Sequence, residues 1–298
     1  MTFLKFSFLI LLPLIGLSAQ SEESEKNTDS ESIRDFYHYR ISDVSVVDTY
    51  VSFGLGEMTI AANSHSKRFD GSMEYSPKIN KPEITYEEQS GKGILNINQN
   101  SEKIFKNKEY QFGKPWKHNI PNRGEFYLPP DVDLNPEIEF GLGEATLDFS
   151  GLTINSLKIE CGLGEMEISV DHANSKAAEY LQIDAGLGAF VGNNLGNLRA
   201  KSVSIDVGLG EADIDMRGQD LVDTEIDISV GLGSLELTLP EKANIRIDAD
   251  HNFLSSVEVY GLIRKNGRWQ SHGWNKAYPT ITVEAEIGIG AIEIRIRD

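Results

Sequence analysis

One cysteine in 298 residues leaves the chain without an internal disulfide. That residue, Cys161, falls at an inward position of an alternating run and reads as a small core residue rather than a nucleophile. An exported chain without cystine must rely on its core and its ladder of backbone bonds. Histidine is sparse: the six lie at 38, 65, 118, 172, 251 and 272, and no pair has zinc-ligand spacing. No serine sits in a nucleophile elbow, and no cysteine–histidine pairing is arguable. Bases are in the minority, 28 against 46 acids, for a net charge of −18, which excludes a nucleic-acid partner. Helical periodicity is nearly absent, with Ala173–Leu181 the one stretch of helical character. No apolar run approaches the roughly 20 residues of a membrane span. The sequence implies no cofactor and no metal.

The N-terminal run is shorter. Lys5 precedes apolar residues from Phe6 to Leu17, and Ser18-Ala19-Gln20 follows. This is the pattern of a secretory signal peptide over residues 1–19, with no transmembrane span after its removal. Residues 20–40 then read as a flexible acidic leader, because Ser21 to Ser32 are almost all polar or charged. Structure is expected to begin near Phe36 or Ile41.

What the chain has in abundance is one phrase, glycine-apolar-glycine. It occurs at Gly54-Leu55-Gly56, Gly141-Leu142-Gly143, Gly162-Leu163-Gly164, Gly186-Leu187-Gly188, Gly208-Leu209-Gly210, Gly231-Leu232-Gly233 and Gly288-Ile289-Gly290. From Gly141 to Gly231 the steps are 21, 24, 22 and 23 residues, the regular spacing of a solenoid. Around each phrase every second residue is apolar: Leu157, Ile159, Cys161 and Leu163, then, one residue out of phase, Met166, Ile168 and Val170. Period two means strands with one buried face. The phase shift predicts a corner at the second glycine, with the leucine between the glycines pointing inward. Glycine there tolerates positive φ and leaves room for the next coil. Polar returns such as Asn194–Asn197 and Arg217–Asp220 complete each unit.

Two strands and a return in about 22 residues predict one coil of a parallel β-helix. The phrases at Gly54, Gly141, Gly162, Gly186, Gly208 and Gly231 supply six coils. A degenerate unit at Phe253-Leu254-Ser255 supplies a seventh and the phrase at Gly288 an eighth. The rival folds are a leucine-rich repeat, which wants a helix or fixed turn in each unit, and a β-sandwich, whose hairpins would not keep one phrase at one phase. Residues 41–140 read as the first coil plus a β-rich insertion, and residues 141–298 as the β-helix repeats. The insertion differs in charge: residues 61–130 carry a net +3 and the rest of the chain −21. Hairpin signals at Glu83–Tyr86 and Ile94–Ile97 suggest that it caps or flanks the first coil.

These residues taken together resemble a bacterial envelope family. Pro82-Glu83-Ile84-Thr85-Tyr86 with Gly91-Lys92-Gly93-Ile94-Leu95, then Leu128-Pro129-Pro130-Asp131-Val132 running into Gly141-Leu142-Gly143-Glu144-Ala145 and Leu147-Asp148-Phe149-Ser150-Gly151-Leu152, are similar to the toast-rack and LiaF-like C-terminal domains. The resemblance covers roughly Asp43 to Asp298. It implies an all-β, right-handed, single-stranded parallel β-helix, a bacterial source, kinship with adhesin-like families of unknown function and no established enzymatic activity. LiaF-like members regulate envelope-stress signalling and carry membrane helices before this domain. This chain has a signal peptide there instead, which favours a free or surface-exported domain.

Two constellations carry candidate chemistry. Glu57, Glu144, Glu165 and Glu211 follow their glycine phrases, and in-register stacking would align them. Such a column could hold calcium or supply acid/base pairs for cutting polysaccharide. Ala189, Ser234 and Ala291 interrupt it, and the acids otherwise look dispersed. The glycine phrases lack the third glycine of the dinucleotide fingerprint and any crossover helix. The second constellation is Tyr260–Pro279, with Arg264, Lys265, Arg268, Trp269, His272, Trp274, Lys276 and Tyr278 and no acid. Arg264, Arg268, Trp269 and Trp274 are the candidate partner-binding residues, because tryptophan faces and arginines anchor proteins and glycans. The alternative is that this loop folds over the last coil as a lid. The functional expectation is a non-catalytic, exported envelope protein, periplasmic or surface-bound, that binds a protein or an envelope glycan. The alternative function is a polysaccharide lyase or hydrolase.

Overall fold

The computed structural model describes residues 23–26, 32–76, 81–99, 122–250 and 253–298. The signal-peptide segment, part of the acidic leader, the aromatic stretch around Trp116, and His118 and His251 lie outside the described residues. Within them the protein is all-β, its strands joined in one open sheet of 22. The single helical element among the described residues is a 3-10 turn at Leu195–Leu198. Ala173–Leu181 is not helical: it runs irregularly into the strand Tyr180–Ala185, because Ala178 and Leu181 are drawn into the core while Glu179 and Tyr180 face outward.

The glycine phrases stack. Val46–Ala62, Asp133–Asp148 and Ser156–Ser169 each run unbroken through their phrase. They pair in parallel, with Leu55 beside Leu142, Leu142 beside Leu163, and Gly56, Gly143 and Gly164 in one line. In later copies the phrase separates two shorter strands, as in Tyr180–Ala185 and Ala189–Asn193, and the same parallel register continues. Identical phase in every copy makes identical columns. Val51, Ile138, Ile159, Ile183, Ile205 and Ile228 form one inward column, buried throughout. Each such side chain contributes about 1.5–3 kcal/mol by leaving water. Where the trailing column meets Gly192, Leu195 fills the space, its Cδ1 2.6 Å from where a Cβ would stand.

Asparagines tie the returns together. Buried Asn174 accepts from the Ile154 amide at 3.0 Å and donates back to the Ile154 carbonyl at 2.6 Å. Buried Asn197 donates to the Val170 carbonyl and accepts from the Gln219 amide, both at 2.7 Å. The return at Asn194–Asn197 is therefore part of the interior, with Leu195 and Leu198 buried in it.

The spatial order departs from the order of the sequence at one point. Thr280–Ile287 and Gly290–Arg297, the last unit of the chain, lie between the unit at Gly231 and the degenerate unit. Asn244–Asp250 and Ser255–Tyr260 thus form the end of the stack, although they come earlier in the chain. The segment between Tyr260 and Thr280 is long enough to pass over the end rung and return beneath it, so nearest in sequence is not nearest in space here. Arg268–Gln270 pairs antiparallel with Asn244–Asp250 and caps it.

Antiparallel strands cover the other end. Lys92–Gln99 lies parallel to the start of Val46–Ala62 and is covered by Glu83–Gln89. Asn122–Leu128 lies parallel to its end and is covered by Arg68–Tyr75, which pairs in turn with Ile33–Arg40. Ile33–Arg40 falls inside the stretch read from sequence as leader. Alternating Tyr37 and Tyr39 bury their rings, the Tyr39 hydroxyl donates to the Ile84 carbonyl at 2.7 Å, and Glu23–Lys26 pairs antiparallel with this strand, so structure begins before Phe36.

Candidate interaction surfaces

In five of the seven phrases the residue between the paired glycines does not point inward. Leu163, Leu187, Leu209, Leu232 and Ile289 are 45–54 % exposed. Around Cys161 the side chains run in, out, out, in: Cys161 is buried, Gly162 and Leu163 are exposed, and Gly164 is buried. Here the extra residue is consumed before the leucine rather than after it, and Gly164 takes the inward place. A side chain has no room there. A Cβ at Gly143, whose φ is +129°, would stand 1.9 Å from the Gly56 carbonyl oxygen.

The consequence is an external ridge. Leu163, Leu187, Leu209, Leu232 and Ile289 succeed one another rung by rung, while on the first two rungs the column sinks, with Leu142 half-buried and Leu55 packed against the core. The pairing of Ser255 with Gly290 carries the column on to Leu254, 51 % exposed. From Leu163 to Leu254, at about 4.8 Å per rung, the exposed ridge is about 24 Å long.

Carboxylates line both flanks. On one side are Glu57, Glu144 and Glu165 on adjacent rungs, with Ala189 next and Glu211 beyond it. On the other side Glu139, Glu160, Asp184 and Asp206 occupy four consecutive rungs. The acids that look dispersed in sequence are therefore stacked, because repeats of 21 to 24 residues return to one register. Burial, with the Asp206 and Glu160 charges beside it, pushes the Asp184 carboxyl above its ordinary range, against a hydrogen bond from Gln182. A shallow hollow of about 490 Å³ lies along this second row, and one of about 620 Å³ along the ridge and the first row.

The basic aromatic segment splits into two parts. Trp269 is 8 % exposed, sits opposite Ile247 in the capping hairpin and carries the Arg264 guanidinium 4.6 Å above its ring. Arg268 bonds Asp248 at 2.6 Å. Trp274 is 53 % exposed, with Arg246 5.6 Å from its ring. Of the four candidate residues, three hold the end of the stack together and Trp274 faces solvent.

Cys161 is buried, and burial pushes its thiol up. His38 lies 2.5 Å from Asp70, which also accepts from Arg68 at 2.6 Å and Asn63 at 2.8 Å. Burial raises the Asp70 carboxyl, but the bonds from Asn63, His38 and Arg68 outweigh it and hold the group below its ordinary range. Among the described residues no three His, Cys, Asp or Glu side chains converge as a metal site, and no helix is long and apolar enough to cross a membrane.

The family model for the N-terminal domain of toast_rack (DUF2154) matches residues 18–191, more than half of the chain. No curated protein matches. Among solved structures, a candidate cell adhesion protein of Clostridium sporogenes aligns with 89 % of this chain and 99 % of its own, at 20 % identity and a TM-score of 0.47. A candidate adhesin of Bacteroides fragilis aligns with 88 % and 96 %, at 13 % identity and a TM-score of 0.34. A candidate lipid binding protein of Parabacteroides distasonis aligns with 89 % and 97 %, at 9 % identity and a TM-score of 0.21.

Proposed function

We propose, from the premise that this chain belongs to the toast_rack family, that it is an exported, non-catalytic binding scaffold of the bacterial envelope, adhesin-like in character. Its body is a right-handed parallel β-helix of about eight coils, and its address is the periplasm or the cell surface, as the signal-peptide pattern of residues 1–19 suggests. The observation that carries this reading is the external aliphatic ridge. A contiguous exposed apolar strip with polar margins is the mark of an interaction surface, and in-register repetition makes this one continuous from Leu163 to Leu254.

The test is retention by envelope material. The protein is immobilised and exposed to a solubilised envelope fraction, alongside Leu163→Ser/Leu187→Ser/Leu209→Ser. The wild type should retain an envelope component that the triple variant loses, with superimposable melting curves. Equal retention by both would refute the ridge as the binding surface. Release of new reducing ends or unsaturated uronate from acidic polysaccharide would instead establish the lyase or hydrolase reading through the Glu139–Asp206 row.

A further inference from the structure

The ridge has a chemical complement on the same chain. It is an aliphatic line bordered on both flanks by carboxylates, so its partner must present apolar groups among cations and few anions. Two copies cannot meet ridge to ridge, because their Glu144, Glu165, Glu160 and Asp184 rows would face one another. The segment from Gly261 to Pro279 contains no acid and lies at the far end of the stack. It exposes Trp274 at 53 % and Tyr278 at 39 %. Lys265, at the tip of the capping hairpin, and Lys276 are exposed in the same segment and make no ion pair among the described residues.

We propose that this segment of one copy docks on the leucine ridge of a second copy. The inference rests on the binding-scaffold reading above and names the partner. Trp274 and Tyr278 cover Leu187 and Leu209, and Lys265 and Lys276 meet the carboxylate rows on either flank. Within one chain the loop is fixed to the end rung by Trp269 and the Arg268–Asp248 pair. The contact is heterologous: each added copy leaves one ridge and one loop unused, so association is open-ended. A loop of this size across a strip about 24 Å long buries less than the roughly 1,600 Å² of a standard interface. Association is therefore weak, with a strong salt dependence because its charges sit at the exposed margin.

The experiment is sedimentation velocity on the whole purified protein across a concentration series, with two variants and their mixture. Leu187→Lys/Leu209→Lys removes the ridge and repels the basic loop. Trp274→Ser/Lys276→Glu removes the loop contact. All four side chains are exposed, and circular dichroism melts check that each variant remains folded. Wild type should grow in size with concentration and shrink at about 0.5 M salt, where the Debye length is only a few ångströms. Each variant alone should associate at least tenfold more weakly. An equimolar mixture should form a heterodimer that grows no further, because it has one working ridge and one working loop. A wild type that stays monomeric, self-association insensitive to either variant, or a mixture with no complex would overturn the proposal. Ridge-dependent retention of envelope material by a protein that remains monomeric would sink this inference alone and leave the scaffold reading standing. Should either variant misfold, Leu209→Ser and Lys276→Gln supply the same two arms at lower contrast, and an unchanged association constant in both would count against the proposal equally.

Discussion

A methyl group on Gly143 would stand 1.9 Å from the carbonyl oxygen of Gly56 on the neighbouring rung. The φ of +129° adds a backbone cost for any L side chain. Gly143→Ala should therefore cost about 3 kcal/mol or more, the range reserved for a backbone that must move. Gly273→Ala meets nothing within 4 Å and has no positive φ, so it should change stability by less than about 0.5 kcal/mol. Urea unfolding of the two variants measures the difference. Equal stability would mean that adjacent rungs are not in this register.

The two tryptophans of the basic segment should separate in the same way. Trp269 is buried against Ile247 and Arg264, so Trp269→Ala should lose about 3–5 kcal/mol. Trp274→Ala should lose under about 1 kcal/mol, its exposed ring contributing one solvent-facing cation–π contact with Arg246. Thermal melts of both single variants decide this. Comparable losses would place Trp274 in the capping structure and remove it as a docking residue.

Much of the architecture is legible in the alternation of Leu157, Ile159 and Cys161 and its resumption at Met166 and Ile168, because period two has one physical cause. The direction of Leu163 is not legible there. An apolar residue in phase with Cys161 looks inward until the backbone is seen to spend two consecutive residues, Gly162 and Leu163, on the outside. Hydrophobicity argues for burial, and the close approach of stacked glycines overrides it. The acidic row is invisible in the sequence for a related reason. Glu139, Glu160, Asp184 and Asp206 are separated by 21, 24 and 22 residues, so only the rung register makes them neighbours. The placement of Thr280–Ile287 beneath Asn244–Asp250 leaves no local trace, because a long loop permits either order.

Chelation should leave stability unchanged. Glu144 and Glu165 are adjacent, but Ala189 occupies the next rung, and each rung supplies a single carboxylate to this row. Calcium gathers six to eight oxygens at one point, and a straight row at about 4.8 Å intervals spreads them instead. EDTA should not move the melting temperature. A fall of several degrees that calcium reverses would establish a metal site in the carboxylate rows.

Asp184 and Asp70 should give pH profiles of opposite sign. The Asp184 carboxyl is raised by burial and by its neighbours' charges, so in the folded protein it holds its proton to higher pH than the unfolded value of about 3.9. Its contribution to stability is then fully present below pH of about 4 and is lost as pH rises through the folded pKa. Asp184→Asn does not titrate and should be more stable than wild type at pH 7, by under about 1 kcal/mol because the site is partly solvated. That gain should shrink towards zero below pH of about 4. The Asp70 carboxyl is lowered, since the bonds from Asn63, His38 and Arg68 outweigh its burial. Its contribution is present above the unfolded pKa and is lost as pH falls through the folded one. Asp70→Asn should accordingly lose about 1–2 kcal/mol at pH 7, with the deficit closing in acid. Urea melts of both variants between pH 3 and 7 read the two slopes, at about 1.36 kcal/mol per pKa unit of difference between the folded and unfolded states. A flat Asp184→Asn difference across that range would show that neither burial nor the Asp206 and Glu160 charges raise this carboxyl.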